Sequence, residues 1–209
     1  MLQKDWSLIA NSILIQLAAG LVAFGAFYRS GFVNRAGGDT VFMAAAGGMI
    51  WAGPIILCAM ILSLFHLGQP LRAYRAVTRI GTSWLSREVF FTGAFLLLWA
   101  TSVAMDKSGQ ASMIWIWLTA AAGVLSIWSM SGIYAKTGRP GWKGLSPYLS
   151  FFGTFLIFGV ISSSLLLSAT GLSHAIAPAF PVLALLILVL RLWYAFRLFS
   201  TLQGGAPEH

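Results

Sequence analysis

Six long apolar stretches, separated by short polar loops, restrict what this chain can fold into. Each is close to the length of about 20 apolar residues that a helix needs to cross a bilayer. The 209 residues are 58% hydrophobic and only 9% charged, whereas water-soluble domains carry about a quarter charged residues. The sequence therefore predicts an all-α integral membrane protein, a bundle of six transmembrane helices in a single membrane domain, residues 1–209. The predicted spans are 7–28, 41–65, 87–105, 111–134, 148–170 and 175–199.

Basic residues are distributed unequally between the two sides of this bundle. An even number of spans puts both termini on one side, together with the loops 66–88 and 135–147. That side holds ten of the 13 Lys and Arg residues, and the positive-inside rule predicts that it faces the cytoplasm. The net charge of +8 then reports orientation and contacts with membrane lipids or a partner, not nucleic-acid binding. The ten are Lys4, Arg72, Arg75, Arg79, Arg87, Lys136, Arg139, Lys143, Arg191 and Arg197; the other three are Arg29, Arg35 and Lys107.

This excess of positive charge has two interpretations. It can reflect membrane topology alone. It can also form a docking surface for an acidic soluble partner, because short loops rarely need so much charge for orientation. The residues predicted to form this surface are Arg75, Arg79, Arg87, Lys136, Arg139 and Lys143.

The connector from His66 to Glu88, HLGQPLRAYRAVTRIGTSWLSRE, concentrates the polar chemistry of the chain. His66 is at the exit of the second span, and Glu88 is predicted in the first turn of the third, with Ser83 or Ser86 as its cap. Each has a simple structural explanation, because helix dipoles favour a cation at a C-terminus and a carboxylate at an N-terminus. The connector also returns the chain to the same membrane face, so the side chains of His66 and Glu88 can share one pocket.

Such a pocket can orient a quinol head group and accept its protons, because a base and a carboxylate would meet at the edge of the lipid. Arg72 and Tyr74 lie nearby in the connector, and Trp84 either forms a wall of the pocket or anchors the helix at the interface.

In the second span, Gly47, Gly48 and Gly53 predict the close approach of a neighbouring helix.

The connector resembles the membrane-anchor subunit of dimethyl sulfoxide reductase and its relatives. The resemblance is carried by His66-Leu67-Gly68, Pro70, Arg72-Ala73 and Ser83-Trp84-Leu85-Ser86-Arg87-Glu88, and more weakly by the spans and the loop Pro140-Gly141-Trp142. It covers nearly the whole chain. That family usually has eight spans, whereas six are predicted here, and the missing pair lies after the connector.

The resemblance implies a three-subunit complex. A molybdopterin subunit carries out the substrate chemistry, and a ferredoxin-like subunit with four iron–sulfur clusters docks on the anchor. The anchor exchanges electrons with a quinone, menaquinone or ubiquinone. The family's quinone-site residues match His66, Arg72 and Glu88, with Gly68 and Tyr74 at neighbouring positions of the motif.

The resemblance also implies that this chain holds no haem or metal. The sequence agrees, because the single cysteine cannot form a four-cysteine site and only His66 sits at a span edge with suitable surroundings.

Reaction direction and other function classes stay open at this point. Relatives that reduce sulfoxides take electrons from menaquinol, whereas a similar anchor in a sulfite-oxidising complex passes electrons to quinone. A small transporter is expected to show charges within spans or matching halves; Arg191 is the one candidate charge, and it lies near enough to the span end to snorkel. A purely structural anchor is the remaining alternative, since His66 and Glu88 each have a simple structural explanation.

Overall fold

The computed structural model describes residues 2–32, 38–66, 80–137, 142, 144–169 and 179–203, and all regular secondary structure in these ranges is helical. The helices are α1 (Leu2–Phe27), α2 (Gly38–His66), α3 (Trp84–Lys107), α4 (Met113–Ala135), α5 (Ser146–Ala169) and α6 (Ala179–Gln203), with a π-helical turn, Tyr28–Phe32, after α1.

Five helical segments among the described residues are long and apolar enough to cross a membrane. They are Trp6–Ser30, Ala45–Leu64, Trp84–Lys107, Met113–Ala135 and Ser146–Leu165. The prediction of an all-helical membrane protein is therefore confirmed. The count of six spans stays a prediction, because α6 is not among the five. The single membrane domain over residues 1–209 also stays a prediction.

The outer surface of the bundle is apolar. Large side chains such as Trp51, Leu97, Ile114 and Leu165 point outward and are at least two-thirds exposed. A soluble protein rarely exposes apolar patches of this extent, so the environment that suits this surface is lipid.

Small residues allow α1 to lie at the centre of the bundle, where it packs against α2, α4 and α5. Gly20 of α1 faces Gly159 of α5 so closely that a Cβ on Gly20 would come within 2.7 Å of the Gly159 backbone nitrogen. In lipid, where helices gain no hydrophobic driving force from association, such close backbone contact stabilises the pair. At the edge of the bundle, α6 packs against α5.

One face of α3 contacts α4, α2 and the segment formed by α1 and its π-helical turn. Two hydroxyl pairs join it to α4: Thr92 and Ser126 are 2.6 Å apart, and Ser102 and Thr119 are 2.9 Å apart, all four being buried. The residues on this face follow alternating steps of four and three, the spacing of a single helical stripe. The stripe is Glu88, Thr92, Phe95, Trp99, Ser102 and Asp106.

Trp99 joins the stripe to α2. Its indole nitrogen donates to the carbonyl of Met49 at 2.7 Å, and its ring covers Gly53, where a Cβ would lie 2.1 Å from a ring carbon. The predicted close approach is therefore confirmed at Gly53, whereas the space around Gly47 is open within 4 Å.

Arg29 departs from its predicted place in a polar loop. It lies in the π-helical turn after α1, is 2% exposed, and forms an ion pair with Asp106 of α3 through both terminal nitrogens. The physical reason is that an arginine and a carboxylate satisfy each other at the end of the bundle more fully than either could alone in an apolar setting.

Candidate functional site

Glu88 lies one turn deeper in α3 than the sequence predicted. The helix begins at Trp84, with Ser83 as N-cap: its hydroxyl accepts from the backbone nitrogen of Ser86 at 3.4 Å. Glu88 is therefore in the second turn, and the prediction of a first-turn carboxylate was wrong. Because dipole stabilisation falls off within the first turn, the helix-start explanation of this acidic residue loses most of its force.

The Glu88 side chain faces the bundle and contacts α1. Its Oε1 accepts a hydrogen bond of 3.2 Å from Nδ2 of Asn11, which is 4% exposed. Sequence reasoning missed Asn11. The available signal was a polar side chain inside an otherwise apolar span, four residues after Ser7, which is also buried.

Trp84 packs against α4 one turn before Glu88. Its ring lies so close to Gly132 that a Cβ there would come within 2.2 Å, and it meets Trp128 edge to face with centroids 4.8 Å apart. Two cations flank this ring: the guanidinium of Arg87 at 4.6 Å and the ammonium of Lys136 at 5.5 Å from its centroid. We call these four residues, Trp84, Arg87, Trp128 and Lys136, the Trp84 cluster.

Arg87 also holds the end of the connector. Its Nε donates to the carbonyl of Ile80 and its Nη2 to that of Gly81, both at 2.9 Å. Guanidinium groups suit this double role, because they donate in their plane while stacking on an aromatic face. Two predicted docking residues, Arg87 and Lys136, and one predicted quinone-site residue, Trp84, are thus brought together.

The remaining predicted residues cannot be placed in this geometry. His66 is the last residue of α2, and its side chain lies outside the described part of the structure. Among the other predicted quinone-site and docking residues, these lie outside the described ranges: Gly68, Arg72, Tyr74, Arg75, Arg79, Arg139 and Lys143.

In the described part of the chain, two cavities of about 380 and 480 Å³ lie between α5 and α6, and neither is lined by Glu88. Arg191 forms part of the wall of the first, donating to the hydroxyl of Thr154 at 2.7 Å and packing on Gly153. Because α6 continues to Gln203, Arg191 lies midway along this helix, and its guanidinium donates sideways to α5. The prediction that it lies near enough to a span end to snorkel stays a prediction.

The sequence matches a known family over almost its whole length. The family model described as DMSO reductase anchor subunit (DmsC) matches residues 2–199. The chain belongs to the DMSO reductase anchor subunit family. The family resemblance is thereby confirmed, and this membership together with the apolar helices identifies a multi-pass membrane protein.

Two curated relatives in this family come from Escherichia coli strain K12, and both are named as subunits of anaerobic dimethyl sulfoxide reductase. The YnfH subunit is 29% identical over 189 residues, and the C subunit is 26% identical over 192 residues. Each match covers 88% of this protein, which spans only 65% and 66% of the respective relatives. The C subunit of Haemophilus influenzae is 30% identical over 111 residues, covering 51% of this protein and 40% of that relative. No solved structure matches.

Metal ligands do not gather in groups of three or more among the described residues. The expectation that this chain holds no haem or metal stays a prediction.

Proposed function

We propose that this chain is the membrane anchor and quinone-binding subunit of a multisubunit molybdopterin and iron–sulfur oxidoreductase. It exchanges electrons between the quinone pool and an iron–sulfur subunit. Membership of the anchor-subunit family over residues 2–199 supports this proposal, as do the names of the relatives. The partners are a four-cluster ferredoxin-like subunit and a molybdopterin catalytic subunit.

The observation that carries the quinone-binding role is the position of Glu88. This carboxylate lies in the second turn of α3 and faces the bundle, at the end where α2 finishes at His66. Ionisable groups in such positions are costly in lipid and usually serve a ligand or proton path. An oxidised quinol releases two electrons and two protons; the electrons pass to the iron–sulfur subunit, and His66 and Glu88 each accept one proton.

The connector completes this proposed site. Arg72 and Tyr74 donate hydrogen bonds to the head group, Gly68 allows its close approach, and Trp84 forms a wall. The Trp84 cluster supports this arrangement, because Arg87 ties the chain at Ile80 and Gly81 to the start of α3.

The same membrane side carries the proposed docking surface. Its cations, Arg75, Arg79, Arg87, Lys136, Arg139 and Lys143, attract the acidic face of the iron–sulfur subunit. We place this side and both termini in the cytoplasm of a bacterial inner membrane, on the distribution of basic residues. The relatives' names favour electron flow from quinol to the soluble subunits; a sulfite-oxidising complex would use the same site in reverse.

A structural anchor without quinone chemistry is the competing function, because the Asn11 contact already satisfies one oxygen of Glu88. The complex, purified in mild detergent, decides between the two. Its partners are identified by mass spectrometry and its iron–sulfur clusters by electron paramagnetic resonance. His66→Ala should abolish quinone-coupled turnover and leave turnover with an artificial dye intact, while His209→Ala changes neither. Unchanged quinone kinetics in His66→Ala would support the structural anchor.

A further inference from the structure

We propose that Asn11 of α1 is a positioning residue of the quinone site, holding the Glu88 carboxylate in the orientation that receives the quinol. This inference rests on the proposed function, and it adds α1 to a site otherwise built from the connector, α2 and α3. The direct observation is the 3.2 Å hydrogen bond from the Asn11 amide to Glu88 Oε1.

The register between α1 and α3 does not depend on this bond. Asn11–Glu88 and Arg29–Asp106 have the same sequence separation of 77 residues. The two helices run in the same direction, and the 18 residues from one pair to the next make about five turns at 3.6 residues per turn. The ion pair at the far end, whose guanidinium is buried, therefore supports the same register independently.

The chemistry of an amide suits a positioning role. Its N–H₂ group donates at any physiological pH and never takes or releases a proton itself. A carboxylate offers about four lone-pair positions, so one bond to Asn11 orients Glu88 and leaves acceptor capacity for a quinol hydroxyl. A charged neighbour would instead compete with the quinol for the carboxylate.

Ser12 provides a matched control on the same helix. It is buried like Asn11, but its hydroxyl donates to the carbonyl of Ile9 in its own helix at 2.8 Å. Ser12→Ala therefore removes a buried polar group beside Asn11 without removing a bond to Glu88.

The test measures binding of a fluorescent hydroxyquinoline N-oxide, a quinol analogue, to the purified complex. Asn11→Leu should weaken binding by about tenfold, the range for losing a hydrogen bond to a charged group. It should raise the KM for quinol without changing dye-coupled turnover. Ser12→Ala should bind as the wild type does. In the Glu88→Gln background, Asn11→Leu should add little further loss, because coupled residues are not additive.

Three outcomes overturn the inference. If Asn11→Leu binds the quinol analogue as the wild type does while Glu88→Gln loses binding, Asn11 has no role in the quinone site, and the proposed function still stands. Fully additive losses in the double variant show that Asn11 acts on the fold and not through Glu88. Unchanged binding in Glu88→Gln contradicts the proposed function itself. If Asn11→Leu prevents assembly of the complex, Asn11→Ser, which keeps a small polar side chain, is measured in the same cycle.

Discussion

Arg29 and Asp106 form a bidentate ion pair inside the bundle, at the end of α1 and α3 that lies away from the connector. The guanidinium also approaches the sulfur of Met49 at 3.9 Å, so all three of α1, α2 and α3 meet at this point. Arg–carboxylate pairs with two parallel bonds are among the stronger polar contacts in proteins.

Breaking this pair should destabilise the protein strongly. Asp106→Asn leaves a buried guanidinium without its counter-charge, and we expect the free energy of unfolding to fall by about 3–5 kcal/mol. Denaturant unfolding in lipid bicelles measures the change. The neighbouring, exposed Lys107 gives the control, since Lys107→Gln should stay within about 0.5 kcal/mol. Similar losses in both variants would mean that the pair contributes no more than a surface charge.

Two glycines in α2 should respond differently to the same substitution. Gly53→Ala places a methyl group against the Trp99 ring, which overpacks the interface and should cost about 1–3 kcal/mol. Gly47→Ala meets open space and should be neutral or stabilising by up to about 1 kcal/mol through helix propensity. Thermal unfolding of both variants in the same detergent checks the contrast, and Trp99→Leu should relieve the Gly53→Ala defect. Equal melting temperatures would contradict the Trp99 contact.

The sequence predicted what depends on periodic apolar content. Five predicted spans correspond to helices that are apolar and long enough to cross a bilayer, because the hydrocarbon core imposes both length and composition. Helix ends depend on local capping. The sequence predicted a start at Arg87 with Ser83 or Ser86 as the cap; the Ser83 cap is confirmed, and it sets the start at Trp84. That difference of three residues moves Glu88 from the first turn to the second, which changes the explanation of its charge.

Contacts between distant parts of the chain were beyond the sequence. Nothing in a single apolar stretch identifies which helix its neighbour is, so the bonds from Asn11 to Glu88 and from Arg29 to Asp106 needed coordinates. One clue was nevertheless present. The steps of four and three between Glu88 and Asp106 place four polar residues of α3 on one face of the helix. They are Glu88, Thr92, Ser102 and Asp106.

Charge reversal on the connector should separate docking from folding. Arg75→Glu with Arg79→Glu should release the iron–sulfur and molybdopterin subunits during purification, and more readily as ionic strength rises, because salt weakens electrostatic attraction between docking surfaces. The anchor itself should remain folded. Lys107→Glu, at the other end of α3, should retain the partners. Retention in the Arg75/Arg79 variant at all salt concentrations would contradict a docking surface at these residues.

The contact between Arg191 and Thr154 should tie α6 to α5. Thr154→Val keeps the shape of the side chain and removes the acceptor at 2.7 Å. Polar bonds between membrane helices contribute about 0.6 kcal/mol on average and up to about 1.7, and we expect a loss in that range. Bicelle unfolding measures it, with Thr101→Val as control because the Thr101 hydroxyl bonds only to the carbonyl of Leu97 in its own helix among the described contacts. Equal losses of unfolding free energy in the two variants would mean that the bond between Arg191 and Thr154 contributes nothing and that apolar packing alone holds α6 against α5.

The two polar contacts that α3 makes, with α1 and with the π-helical turn after α1, have a consequence for biogenesis. Arg29 leaves the ribosome 77 residues before Asp106, and Asn11 leaves it the same interval before Glu88. A first helix released at once into the acyl chains would carry its arginine and amide there without partners, at a cost that bilayers impose on any lone polar group. We therefore expect the translocon to keep α1 near its exit until the third helix has been synthesised, so that Arg29 meets Asp106 and Asn11 meets Glu88 before both helices enter the lipid.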